Sequence, residues 1–116
     1  MMDWATLSET IERGEWQKFT RTREVLAAYV AFKRKGLKLN LEWGNKEHIF
    51  RANEYRYDLS PEIKHYVLWH KRELEIDAYK GIIEKEYLLD KPFLIWKNPP
   101  EGRSVPDIAH CHVFWR

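Results

Sequence analysis

The sequence predicts an α+β fold: N-terminal helices packed on a small mixed sheet of about three strands, with one crossover helix. Two observations carry that prediction. Apolar residues recur at helical steps before residue 36, and after residue 62 the chain turns to short runs rich in β-branched and aromatic residues. Between two of those runs one stretch returns to helical spacing, which makes it a crossover.

The elements follow in order. Trp4, Leu7 and Ile11 fall on one helical stripe, Asp3 can cap its start and Gly14 can end it, so residues 4 to 13 form a helix. Thr22 precedes apolar residues at 25, 26, 29, 30 and 32, and a second amphipathic helix runs from 23 to about 35, ahead of Gly36. Residues 37 to 52 carry two patterns. Leu37, Leu39, Leu41 and Trp43 alternate like a strand before the turn-like Gly44-Asn45, while Asn45 can also cap a short helix through Ile49 and Phe50; the helix is preferred. Ile63 to His70 reads as the first strand. Ile76, Tyr79, Ile83 and Tyr87 then mark a helix over 75 to 89 that Gly81 weakens. Residues 92 to 97 and 108 to 115 are the remaining strands, separated by a loop with Pro99, Pro100 and Pro106. The crossover makes the first two strands parallel, and the third returns antiparallel.

Residues 1 to 116 are read as one domain, since a chain of 116 residues supports a single core but not two. Hydrophobic residues at 44% and 17 aromatics (6 Trp, 6 Tyr, 5 Phe) exclude a disordered chain. No apolar run approaches the roughly 18 to 20 residues of a membrane span, and the N-terminus lacks a signal-peptide pattern, so a soluble, cytoplasmic protein is expected. Its one cysteine excludes an internal disulfide. The charge surplus sits in residues 1 to 38, which hold eight Lys/Arg against five Asp/Glu, mostly at Lys33-Arg34-Lys35 and Lys38. Such a cluster closing a helix is ordinarily a solvated face, and with a net charge of only +2 nucleic acid is not an expected partner.

The chemistry concentrates in the last quarter. On a strand, His110 and His112 share one face with Ile108 and Phe114, and Cys111 points to the other. Cys111 is therefore read as a buried thiol and not as a nucleophile. His65, on a strand of the same sheet, is the third member of a histidine cluster. Three imidazoles would suit zinc, but a His-x-His pair without Asp or Glu on its strand is a short signal, and no metal is assigned. The same histidines can serve as general acid and base, or as hydrogen-bond donors to a phosphate or sugar, with Arg21, Lys97 and Arg103 supplying charge. His65, His110 and His112 are thus the candidate catalytic residues, and Arg21, Asn98, Arg103 and Ser104 the candidate ligand-binding ones. Ser104 lacks a nucleophile-elbow motif and reads as a loop hydrogen-bonder. No cofactor is indicated, because no Gly-rich phosphate loop or dinucleotide fingerprint is present.

Three blocks of residues resemble a known family. They are Trp4-x-x-Leu7-x-x-x-Ile11-x-x-Gly14 running on to Phe19-x-Arg21-Thr22-x-Glu24-x-Leu26-x-x-Tyr29; Asn53-x-x-x-Tyr57-x-Leu59-x-Pro61-x-Ile63-x-His65-x-Val67-x-Trp69; and Lys97-Asn98-x-Pro100 with Ser104-Val105 and His110-x-His112-Val113. The chain resembles the family of unknown function that contains the fungal N-acetylglucosamine-induced protein 1, with relatives in eukaryotes and large DNA viruses. Its connections around residues 36 to 52 and 70 to 80 are shorter than is usual there. The resemblance implies signature positions at His65, Asn98, Ser104, His110 and His112, and admits a viral source, with the protein in host cytoplasm or virion. Two functional classes are open. One is a histidine-lined pocket for a small anionic or sugar ligand, with hydrolysis as the candidate chemistry. The other is a non-enzymatic structural or interaction protein, a minor virion or host-directed protein for example, whose partner is another protein.

Overall fold

A computed structural model describes residues 1–36, 41–88, 90–103, 105 and 107–116. Helix α1 (Trp4–Arg13) starts where Asp3 accepts a hydrogen bond from the Thr6 amide at 2.8 Å, and stops at Gly14, whose φ of 66° is left-handed. Helix α2 (Arg23–Arg34) starts where the Thr22 hydroxyl accepts from the Val25 amide. Both agree with the periodicity. The next element does not. Residues His48–Ala52 form a strand, β1, where a helix through Ile49 and Phe50 was expected. The reason is pairing: β1 lies antiparallel to β2 (Lys64–His70), with Phe50 opposite Leu68, which sends Ile49 and Phe50 to opposite faces of a sheet covered on both sides. The alternating Leu37 and Leu39 lie outside the described residues.

Beyond β2 the chain forms α3 (Ile76–Glu86), β3 (Leu94–Trp96), a single 3₁₀ turn at Pro100–Gly102, and β4 (Ala109–Trp115). The sheet has four strands in the order β1-β2-β4-β3, and every neighbouring pair is antiparallel. This corrects the expected mixed sheet of about three strands. β2 and β3 do run in the same direction on either side of the α3 crossover, but β4 inserts between them and pairs antiparallel with both. No helix among the described residues is long and apolar enough to cross a membrane.

Strand alternation divides the core. On one face Leu68, Cys111, Val113 and Trp115 pack against Tyr79 and Ile83 of α3. The other face carries His65, Val67 and Trp69 of β2 beside His110, His112 and Phe114 of β4. One end of this second face is sealed by Leu7 of α1 together with Tyr57, Leu59, Ile63 and Phe114. At the other end Leu41, Val67 and Trp69 pack with Ile49, Val105 and Ile108. Helix α2 leans over the middle. It has no buried residue and is held through Tyr29 and Phe32, whose rings meet Tyr55 at 5.0 and 5.6 Å.

Candidate functional site

The register places His65, His112 and His110 on one sheet face, as the sequence expected. Their surroundings differ. His65 accepts a hydrogen bond at Nδ1 from the Tyr57 backbone amide at 3.2 Å. A neutral ring with Nδ1 occupied as an acceptor must carry its proton on Nε2, so His65 donates from Nε2 to His112 Nδ1, 2.9 Å away. His112 in turn holds its proton on Nε2 and presents it to the Tyr57 hydroxyl at 3.4 Å. One backbone N–H thus sets the tautomers of two rings.

Asn98 completes this network. Its Oδ1 accepts from the indole N–H of Trp96, a donor-only group that fixes the amide's orientation. Its Nδ2 donates to the Tyr57 hydroxyl at 3.3 Å; the equal distance to His112 Nε2 is a meeting of two donors, so the phenol oxygen is the shared acceptor. Arg103 donates from Nε to the Asn98 carbonyl at 3.0 Å and clasps Glu73 with both terminal nitrogens. Lys97 reaches the same Glu73 at 2.7 Å and the Leu74 carbonyl at 2.9 Å. Those two cations, Lys97 first, hold the Glu73 carboxyl below its usual range.

His110 stands apart. Its Nδ1–H donates to the Ile108 carbonyl at 2.7 Å, which leaves Nε2 as the lone-pair nitrogen. Its ring rests on Trp69 at 4.7 Å and meets His112 edge-on at 5.6 Å. Both His110 and His112 reach a cavity of about 470 Å³ between the sheet and α2. Val67 and Trp69 continue its floor, Tyr29 and Phe32 form its wall, and Arg21 stands at one end. Arg21 is fixed by a 2.7 Å bond from Nε to the Tyr55 carbonyl, with its guanidinium 4.5 Å above the Tyr29 ring. The Tyr29 hydroxyl is buried and has no hydrogen-bond partner among the described residues.

Electrostatics keep the three rings neutral. Burial is the largest cause at each, lowering His65 well below its ordinary value, His110 less, and His112 to about 3. The charge of Arg21 adds to the effect on His65 and His112. Cys111 is fully buried on the opposite face, and burial pushes its thiol upward, away from the reactive thiolate. Among the described residues no three His, Cys, Asp or Glu side chains converge as a metal site.

The structure therefore sorts the expected residues. His65, His112 and Asn98 form one hydrogen-bonded network; His110, His112 and Arg21 line the cavity; Arg103 braces Asn98 from outside the cavity. Ser104 lies outside the described residues. Tyr57 and Tyr29, read from the sequence only as members of motif blocks, belong with these groups. The signal was the spacing Asn53-x-x-x-Tyr57 just ahead of the histidine strand, where Asn53 turns the chain by accepting from the Tyr55 amide at 2.8 Å.

No family model matches the sequence. The chain is 26% identical over 151 aligned residues to the uncharacterised protein YPL067C of Saccharomyces cerevisiae, covering 95% of this chain and 76% of the yeast protein. The solved crystal structure of HTC1 superposes with a TM-score of 0.75 at 22% identity, covering 99% of this chain and 85% of that one. That likeness is one of fold.

Proposed function

We propose that the chain binds a small anionic or sugar ligand in the cavity beneath α2, with His110 as the acceptor or general base that meets it. The observation carrying this reading is that His110 Nε2, a lone pair fixed by the Ile108 carbonyl, belongs to a ring on the floor of a cavity whose end holds Arg21. A volume of about 470 Å³ lies within the range of small-ligand sites. Its aromatic and aliphatic walls are joined by charged side chains, the cations Arg21, Lys33 and Arg51 and the carboxylates Glu54 and Asp107, so the lining offers both contact area and polar groups to orient a ligand. Neutral at physiological pH, His110 can accept a proton from a ligand hydroxyl or from water, which is the step a hydrolase of this design needs. His112 lies next in line and is oriented by His65, so the network behind His110 serves to hold the floor in place. The resemblance of the motif blocks to the family of the fungal N-acetylglucosamine-induced protein 1 supports this reading, since His65, Asn98, His110 and His112 all fall in or beside the site.

A second reading has its own observation. The network of Tyr57, His65, His112 and Asn98 is closed on itself, as a purely structural or interaction protein would have it. One experiment separates the two. Native mass spectrometry of the untagged protein, with thermal shifts against inorganic phosphate, nucleoside monophosphates and hexose phosphates, should show a retained ligand or a raised melting temperature. That response should vanish in His110→Gln. Bare protein and no shift with any of these probes would favour the structural reading.

A further inference from the structure

Helix α2 turns Tyr29 and Phe32 toward the cavity, and among the described residues nothing covers its outer face. Leu26 and Val30, one turn apart, are 47% and 37% exposed, among the few large apolar side chains of the described residues that face water. Ala27 and Ala31 run alongside them, and together these four residues line a shallow groove. Arg23 and Arg34 stand at its two ends, followed by Lys35. The ion pairs of the described residues engage other cations, including Arg13, Lys18, Lys97 and Arg103, and leave this row in water.

We infer that this face docks an acidic amphipathic helix of another protein. The apolar stripe supplies the contact, and the small Ala27 and Ala31 side chains let a partner backbone approach closely. The flanking cations choose the sign of the partner's charge. A second copy of the chain is disfavoured by the same charges, because a symmetric pairing would set Arg23 and Arg34 against their equivalents. Two aliphatic side chains without an aromatic anchor give little to insert into a membrane. An apolar stripe between the cations is equally ill suited to a nucleic-acid backbone.

The test is a selection from a displayed library of helical peptides against the full chain. Enriched sequences should be net negative, with aliphatic residues one turn apart. A selected peptide, once synthesised, should bind roughly tenfold or more weakly when salt rises from about 0.05 M to about 0.5 M, as screening of the cations requires. It should bind comparably weakly to the double variant Leu26→Ser with Val30→Ser. Should that variant fail to fold, mapping of amide shifts on the unaltered protein decides: perturbations must centre on residues 23 to 35. Selection of neutral or basic peptides, failure to enrich any, shifts centred elsewhere, or displacement of the peptide by phosphatidylserine vesicles or duplex DNA would overturn the inference.

Discussion

Loss of the His65 ring leaves two buried groups without partners, the Tyr57 amide that Nδ1 accepts from and the His112 Nδ1 that Nε2 donates to. Each orphaned group costs about 1–3 kcal/mol, so His65→Leu should destabilise the protein by at least about 2 kcal/mol. His110→Gln loses the bond to the Ile108 carbonyl and the ring contacts with Trp69 and His112, and should cost less, about 1–2 kcal/mol. Urea denaturation of the two variants side by side checks the order, and the reverse order would remove the distinction between a bracing and a ligand-facing histidine. From the sequence the three histidines look alike. Alternation along a strand fixes the face on which a ring lies, and it did so correctly for His65, His110 and His112. It carries no information on which nitrogen meets a backbone amide contributed by a loop eight residues away.

At the scale of elements, the 3₁₀ turn at Pro100–Gly102 shows how the loop bearing Asn98 is seated. A Cβ built on Gly102 would come within 2.9 Å of the Trp16 ring, closer than such carbons approach in folded proteins. Gly102→Ala should therefore push the turn off Trp16, cost about 1–3 kcal/mol, and loosen the neighbouring Arg103 grip on Asn98. Denaturant titration reads the first effect and the loss of amide protection around residues 97 to 103 the second; an alanine variant as stable as the parent would refute the contact. The sequence marks this loop by its prolines but gives no sign that Trp16, more than eighty positions earlier, is its seat. It marks α1 and α2 well, because caps and 3.6-residue periodicity are local. It misses β1, because an edge strand with Ile49 on one face and Phe50 on the other shows no alternation, and Asn45 offered a competing helix cap.

For the whole molecule, buried neutral histidines tie stability to pH. The folded state holds His65, His110 and His112 below their ordinary values, while the unfolded chain takes up protons near pH 6.5. Stability from this source is complete above pH 6.5 and is lost as pH falls from there toward about 3, where His112 at last accepts its proton. Each such histidine contributes a slope of up to about 1.4 kcal/mol per pH unit. Asp3, Glu15 and Glu73 have folded values lowered from 3.8 or 4.5, so their losses begin lower and leave pH 5 to 6.5 to the histidines. Urea midpoints should drop steadily across that window, and His112→Leu should flatten the drop. A level midpoint from pH 7 to 5 would show that the rings already carry protons in the fold.

The place of β4 at the centre of the sheet also sets an order in time. Among the described strands, residues 109–115 come last in the chain, yet they lie inside the sheet, between β2 and β3. Until they arrive, β2 and β3 each present an open edge, and Val67, Leu68 and Trp69 lack their central partner. The nascent chain can close the β1-β2 pair early but cannot complete this core before β4 has emerged. Assembly must wait for contacts such as Leu68 with Cys111, far apart in sequence, and pairing of that kind is slow. The strand that carries the candidate chemistry is thus also the one whose arrival turns a collection of edges into a sheet.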